Sequence, residues 1–292
     1  MLRQLKNCLT IDLESMSHRY VTERSHLSAV ERRYLENEEG RRLLDDGSLV
    51  SSTRRILQAL KKHGHTATFF VVGEVYKWYP DLVRELRDSA HEVAYHSHTH
   101  TPFRTARSLK SEVQQSREFI ETFKPRGFRA PRAVITHECL DELAKSGFTY
   151  DSSSYGPFST ARKMSGIAEI PISTYALWKQ PHLTLPRPLT FDLLMRLEIP
   201  YGSGYFISLL SLVSPALVSY FIRKSNVNGM PAVLSFHPWQ LTRRRLGVPA
   251  GKRLYKLGLL PYDLPCDRAF EHLLRSHDFC TMQELIEETR VL

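Results

Sequence analysis

The sequence predicts an α/β fold of the (β/α) barrel type, in a single domain spanning residues 1–292. Three observations point to it. Short β-branched or aromatic runs alternate with helix-patterned segments along most of the chain, the signature of a parallel sheet covered by helices. The number of such units in one domain's length favours a barrel over an open doubly wound sheet. No repeat, low-complexity tract or Pro/Gly/Ser-rich linker divides the chain. With 42% hydrophobic and 24% charged residues it can bury a sizeable core, which excludes a disordered, collagenous or disulfide-scaffold protein.

In chain order, Cys8-Leu9-Thr10-Ile11 reads as a short buried strand. Residues 16–48 are polar and charged and suit an exposed insertion. The run from Thr53 to Gly64 is helical, with Ile56 and Leu60 on one face and Gly64 as its stop. Thr66 to Val72 is a buried strand, and Pro80 opens a helix carrying Leu82, Val83 and Leu86. His91 to Tyr95 is the next strand. Ser108 is expected to cap a helix bearing Leu109, Val113, Ile120 and Phe123, before a strand at Gly127-Phe128-Arg129. Thr136 caps a helix that ends at Gly147, and Phe148 to Tyr150, Ala168 to Ile172 and Ala232 to Phe236 continue the strands. Thr281 and Glu284 form a capping box at the last helix. The uncharged stretch 205–222, flanked by Arg223 and Lys224, is expected to be an apolar helix on the barrel or at a membrane surface. Pro215 and interspersed serines argue against a spanning helix.

The net charge is +9, which raises attraction to anionic partners in general. The basic clusters at Arg243-Arg244-Arg245 and Lys252-Arg253 carry no interleaved aromatic stacking residues, so nucleic-acid binding is not expected. Four scattered cysteines without a CxxC pair suit a reducing compartment. The first residues hold no apolar run of signal-peptide length, so a cytoplasmic enzyme is expected.

Four motifs carry chemistry. Tyr95-His96-Ser97-His98-Thr99-His100 follows a strand directly; by itself it reads equally as a polar loop rich in histidine or as a place where the imidazoles of His96 and His100 hold one divalent ion such as zinc. In Thr10-Ile11-Asp12-Leu13-Glu14 two acids point the same way from an extended chain. Such like charges destabilise each other unless a cation neutralises them. A metal on His96, His100 and Glu14 would do so and leave Asp12 as a base. Arg129, in Phe128-Arg129-Ala130-Pro131, stands where it can pair with Asp12. His237 closes an apolar strand in Leu234-Ser235-Phe236-His237, and by itself it reads equally as a core histidine or a catalyst.

In this order the four motifs resemble the polysaccharide deacetylase family, the NodB-homology group of carbohydrate esterases. TIDLE matches its paired acids, HSHTH its His-Ser/Thr-x-x-His, RAP its Arg-x-Pro and LSFH its Leu-x-x-His. YGSGYF and LSFHPW look like a branch found beside exopolysaccharide or exosortase loci.

The resemblance implies a distorted (β/α)7 barrel of NodB type and metal-dependent hydrolysis of an N-acetyl group on an amino sugar in a glycan or its precursor. It implies Glu14, His96 and His100 as metal ligands, Asp12 as general base and His237 as the acid that protonates the leaving amine. Arg129 would hold Asp12, Asp151 would help orient His237, and the backbone N–H after Pro131 would face the oxyanion. Zinc is the family's usual ion; nickel, cobalt or manganese also suit an N/N/O site. Two departures stand out: Asp12-x-Glu14 replaces adjacent acids, and Arg132 replaces the aromatic residue that usually follows Arg-x-Pro. A cation there suits an acidic or lipid-linked sugar, with peripheral contact at the inner membrane face. Two alternatives remain open. One is hydrolysis of another non-peptide C–N bond (formamide, imide or ureide), and the other is a catalytically silent glycan-binding member.

Overall fold

The computed structural model describes residues 5–22, 29–45, 47–102, 104–177, 198–241 and 266–290. The basic clusters around 243–245 and 252–253 lie outside these residues. Thirteen strands are present among those described: β1 Asn7–Leu13, β2 Thr68–Val71, β3 Glu92–Tyr95, β4 Gly127–Phe128, β5 Tyr150–Asp151, β6 Tyr155–Gly156, β7 Arg162–Met164, β8 Ile167–Glu169, β9 Ile172–Ser173, β10 Tyr175–Ala176, β11 Glu198–Ile199, β12 Val233–Phe236 and β13 Phe279–Cys280.

Seven of them run parallel in the order β12-β1-β2-β3-β4-β5-β8. β7 adds an antiparallel edge to β8, and β13 pairs with the start of β1. β1 is buried along its whole length, as a strand covered on both faces must be. The fold is the distorted (β/α)7 barrel. Its distortion has a local cause. β8 does not pair with β12; the gap is crossed by Gly202 and Ser203, whose backbones bond Ser173 on β9 and Ser235 on β12. A Cβ at Gly202 would lie 2.4 Å from the Val233 carbonyl oxygen, so only glycine lets the chain pass there.

The helices are α1 Met16–Thr22, α2 Ala29–Tyr34, α3 Glu38–Leu43, α4 Ser48–His63, α5 Gly73–Trp78, α6 Pro80–Asp88, α7 Ala106–Gln115, α8 Arg117–Phe123 and α9 His137–Lys145. They continue with α10 Gly204–Val213, α11 Ala216–Val227, α12 Asp267–Ser276 and α13 Met282–Thr289. Several end signals act as read. Gly64 caps α4 in the left-handed region, Thr136 Oγ1 accepts from the Cys139 N–H, and the Thr281–Glu284 capping box forms.

Other expectations change. Thr105, not Ser108, caps α7, its hydroxyl oxygen accepting the Ser108 N–H, and the expected single helix breaks at Ser116 into α7 and α8. The expected strand 168–172 is divided between β8 and β9, which lie in different sheets. The stretch 205–222 is not one helix. It is α10 and α11, bent by 118° at Ser214-Pro215, where proline lacks an N–H to continue the ladder. No single described helix is long and apolar enough to cross a membrane.

The insertion 16–48 is also not simply exposed. Ser17, His18, Leu35 and Arg41 are buried, and the segment is pinned to the start of α5 through Glu74. Arg41 grips the Glu74 carboxylate through both Nε (2.8 Å) and Nη2, while its Nη1 donates to the Leu35 carbonyl. His18 Nδ1 accepts the Ser15 N–H, so the proton of the neutral ring is on Nε2, which donates to Glu74 Oε2 at 3.1 Å. His18 also stacks on Trp78.

Burial works against the Glu74 carboxylate, but hydrogen bonds and charge from Arg41 and His18 bring its pKa down to about 2. A carboxylate with a depressed folded pKa stabilises the protein above its unfolded pKa, and that contribution is lost as pH falls from there towards about 2. The shift corresponds to about 3 kcal/mol. The denaturant midpoint should therefore fall steeply below about pH 4.5. In Glu74→Gln protein that steepness should be reduced and the midpoint at neutral pH lower; an unchanged acid profile would contradict the assignment.

Candidate active site

The C-terminal ends of parallel barrel strands converge on one face, which is where such folds place reactive groups. Here that face gathers Asp12 and Glu14 from the end of β1, His96 and His100 after β3, Arg129 after β4 and His237 after β12. All are buried except His237, which is half-buried. Asp151, at the end of β5, is buried one strand beyond Arg129.

Arg129 organises the acid side. Its Nη1 donates to Asp12 Oδ1 (2.6 Å) and Thr10 Oγ1 (2.7 Å), and lies 3.3 Å from Ser235 Oγ. Nε and Nη2 donate to the Ser152 carbonyl and hydroxyl, both at 2.9 Å. The guanidinium lies over the Phe70 ring, 4.1 Å from its centroid. Burial would raise the Asp12 carboxyl, but Arg129 foremost, with His96 and His237, brings its pKa down to about 2. Asp12 is thus an ionised, fixed acceptor at neutral pH.

Glu14, His96 and His100 each turn one ligand atom inward, all within 4.8 Å of one another. His96 Nδ1 donates to the Arg129 carbonyl at 2.7 Å, which leaves Nε2 as the lone-pair atom. Burial lowers the pKa of His96 to about 4, so it is a neutral imidazole at pH 7. Glu14 Oε2 lies 2.8 Å from His100 Nε2, at ion-pair distance but without a hydrogen bond in good geometry. So close an approach of a buried carboxylate oxygen to an imidazole nitrogen suits an ion pair with a protonated ring and equally two ligands sharing a cation. Burial would raise Glu14, and the neighbouring His100, with His237 and His96, brings it down to about 2. An N/N/O donor set, buried and with an orphaned carboxylate oxygen, fits a divalent transition ion. A second group, Glu38, Glu74 and His98, also lies close together. It is already neutralised, by Arg41 on Glu74 and Lys77 on Glu38, and is a poor cation site.

The strand-end loop that carries the histidines is held in an uncommon shape. Ser97 and His100 are both in the left-handed region, at φ +63° and +58°. For residues with a Cβ this costs about 1–3 kcal/mol each, and it persists only where surroundings enforce it. The Ser97 hydroxyl oxygen accepts the His100 N–H at 3.0 Å. Gly73 and Glu74 donate their N–H groups to the Ser97 and His98 carbonyls. A Cβ on Gly73 would sit 2.6 Å from His98 Nδ1, so this close approach requires glycine.

His237 Nε2 faces the same space, 3.3 Å from Glu14 Oε1 and 3.7 Å from Asp12 Oδ2. Its orienting contact is one that sequence reasoning missed. Buried Gln240 Oε1 accepts the His237 backbone N–H at 2.8 Å and lies 3.2 Å from Nδ1, while Gln240 Nε2 donates to Ser208 Oγ on α10. Only a polar residue one turn after the histidine signals it in the sequence. Asp151 had been expected in this orienting place. Its carboxylate accepts the Ser153 N–H and hydroxyl, and the Ser153 Oγ in turn accepts the Ala130 N–H. Asp151 therefore supports the Arg-x-Pro turn. Arg132 follows Pro131 with φ +58° and an exposed side chain.

Four strand ends, those of β1, β3, β4 and β12, deliver a metal-type ligand set, a second carboxylate, a guanidinium and an imidazole to one place. Comparison with known proteins adds to this. Residues 43–150 match the family model described as polysaccharide deacetylase. The chain is 32% identical over 112 residues to the peptidoglycan N-acetylmuramic acid deacetylase PdaA of Bacillus subtilis, covering 36% of this chain and 42% of that protein. It is 32% identical over 126 residues to a chitooligosaccharide deacetylase of Bradyrhizobium, covering 40% and 57%. It thus spans about half the length of these relatives. A Mycobacterium smegmatis structure named for a polysaccharide deacetylase has a TM-score of 0.57 at 17% identity, covering 99% of this chain and 95% of that one, which speaks for the fold. The match over residues 43–150 agrees with the resemblance that the four motifs carry. His96, His100 and Arg129 lie inside that stretch; Asp12, Glu14 and His237 lie outside it and join them in space.

Replacing Arg129 by Met would leave the Asp12 carboxylate buried without its cation. Urea unfolding should show a loss of about 3–5 kcal/mol. Lysine should restore little, because one ammonium cannot span Asp12, Thr10 and Ser152 together. Full stability in either variant would contradict the role given to this pair.

Proposed function

We propose that residues 1–292 form one catalytic domain that removes the N-acetyl group from an amino sugar in a glycan or glycan precursor. The observation that carries this is the convergence of Glu14, His96 and His100 with Asp12 on one side and His237 on the other. The relatives' names, a peptidoglycan N-acetylmuramic acid deacetylase and a chitooligosaccharide deacetylase, support the same class of substrate.

An amide resists hydrolysis because its carbonyl is a weak electrophile and its amine a poor leaving group. Glu14, His96 and His100 would hold a divalent ion, with zinc proposed. When bound, such an ion polarises a carbonyl and acidifies water. Asp12, fixed by Arg129 and Ser235, then accepts a proton from water at Oδ2. His237, its Nδ1 against Gln240 and its Nε2 facing the site, gives a proton to the departing nitrogen. Acid and base groups placed this way typically contribute ~10²–10⁴-fold in rate each.

Asp12→Asn protein should keep its zinc and lose ~10²–10⁴-fold in acetate release from N-acetylated oligosaccharides. His96→Ala protein should lose both zinc and turnover. Formate or another acyl product in place of acetate would move the activity to a different C–N bond. Zinc-loaded protein inert towards every N-acetylated sugar would favour the silent, glycan-binding reading.

The exposed apolar elbow between α10 and α11 supports a lipid-linked substrate at a membrane surface. Leu209, Leu212 and Val213 are 40%, 58% and 82% exposed, and Arg223 and Lys224 follow on α11. Pro215 of the elbow shares a cavity with Leu241, with Arg55, Arg268 and Arg275, and with the acids Asp267 and Glu271, and Leu241 follows His237 closely in the chain. Apolar side chains beside cations suit an anionic bilayer, and Arg132 suits an acidic sugar carrier. The buried, free cysteines support a reducing compartment, hence the cytoplasmic face of the inner membrane. A place in the exosortase-associated branch, proposed on YGSGYF and LSFHPW alone, would suit that location. The protein should co-sediment with phosphatidylglycerol vesicles, and a Leu212→Glu/Val213→Glu double variant should not. Equal sedimentation of the two proteins, or none by the wild type, would count against membrane contact.

A further inference from the structure

We propose that Glu112, on α7, is a positioning residue that sets the aim of His100 by clamping the backbone between the two histidine ligands. This inference rests on the metal site proposed above. Glu112 touches neither ligand ring. Its Oε2 accepts the backbone N–H groups of His98 (2.7 Å) and Thr99 (2.9 Å), and its Oε1 accepts the Thr99 hydroxyl (3.0 Å). These groups lie between the two left-handed residues Ser97 and His100.

The two imidazoles are held differently. His96 has its own anchor, the Arg129 carbonyl on Nδ1. His100 Nδ1 is buried, and its neighbour is the His18 backbone, a looser contact than the 2.7 Å bond that holds His96. A metal-bound imidazole is usually fixed through its second nitrogen. With that contact loose, the direction of the His100 ring depends on its backbone, and so on the acceptor that enforces the loop. Glu112 is itself fastened: its carbonyl accepts from the Tyr95 hydroxyl at 2.8 Å, and Ser116 Oγ, one turn along, links Tyr95 to His98 Nδ1. The clamp therefore joins β3, the loop and α7 in one buried network.

The requirement is an acceptor at one place rather than a negative charge. In Glu112→Gln, the amide oxygen can take both backbone N–H groups while its NH2 donates to Thr99 Oγ1. In Glu112→Met, both N–H groups lose their acceptor. Apo protein is titrated with zinc against a chelating indicator, and the thermal midpoint of each apo variant is recorded. Zinc affinity should fall ~10–100-fold in Glu112→Met, as for loss of other outer contacts of a metal ligand. It should remain near wild type in Glu112→Gln. Should the Met variant fail to fold, Glu112→Asp, too short to reach both N–H groups, takes its place with the same expected loss. Wild-type affinity in the Met or Asp variant, or a Gln variant as weak as Met, would overturn the clamp alone. Failure of the wild type to bind zinc would overturn the metal site together with it.

Discussion

A guanidinium that is 2% exposed ties together the ends of β1, β4, β5 and β12. Burying a charge costs several kcal/mol unless its hydrogen-bonding capacity is met. Arg129 meets it with Asp12, Thr10 and Ser152, with Ser235 close by, and with the Phe70 ring face. The planar fork is what allows one side chain to reach several strands at once. Its carbonyl also accepts the His96 Nδ1–H, so the residue that fixes Asp12 fixes the first histidine's tautomer too. The acid and ligand halves of the site are thereby held in one register.

Around that pair the chain accepts local strain to shape the pocket. Ser97 and His100 adopt left-handed backbone, and Gly73 and Gly202 stand where neighbouring chains approach too closely for a Cβ. The insertion 16–48 covers this region through His18 and Arg41, both bonded to Glu74 at the start of α5. Since Glu74 also donates its backbone N–H to the His98 carbonyl, insertion and ligand loop share one support.

Much of this was legible in the sequence because the informative groups are short and local. Paired acids, spaced histidines, Arg-x-Pro and a histidine at the end of an apolar strand mark strand ends, and strand ends converge in a barrel. What was not legible depends on partners distant in the chain. Arg41 and Glu74 look like solvated surface charges until they are seen to neutralise each other. Gln240 carries no charge, and Glu112 lies in a helix rich in polar residues, so neither advertises its contact with a histidine or its loop. The break at Pro215 was visible, but the 118° turn it produces depends on how α10 and α11 pack. Thr105 and Ser108 offer the same hydroxyl chemistry, and only the path of the backbone chose between them as cap.

If two imidazoles and one carboxylate from the ends of β1 and β3 share a single cation, X-ray absorption spectroscopy of stoichiometrically zinc-loaded protein will see all three. Multiple scattering from two histidines and light-atom ligands at about 2.0–2.2 Å is expected. A sulfur shell near 2.3 Å, or a spectrum without histidine scattering, would contradict it.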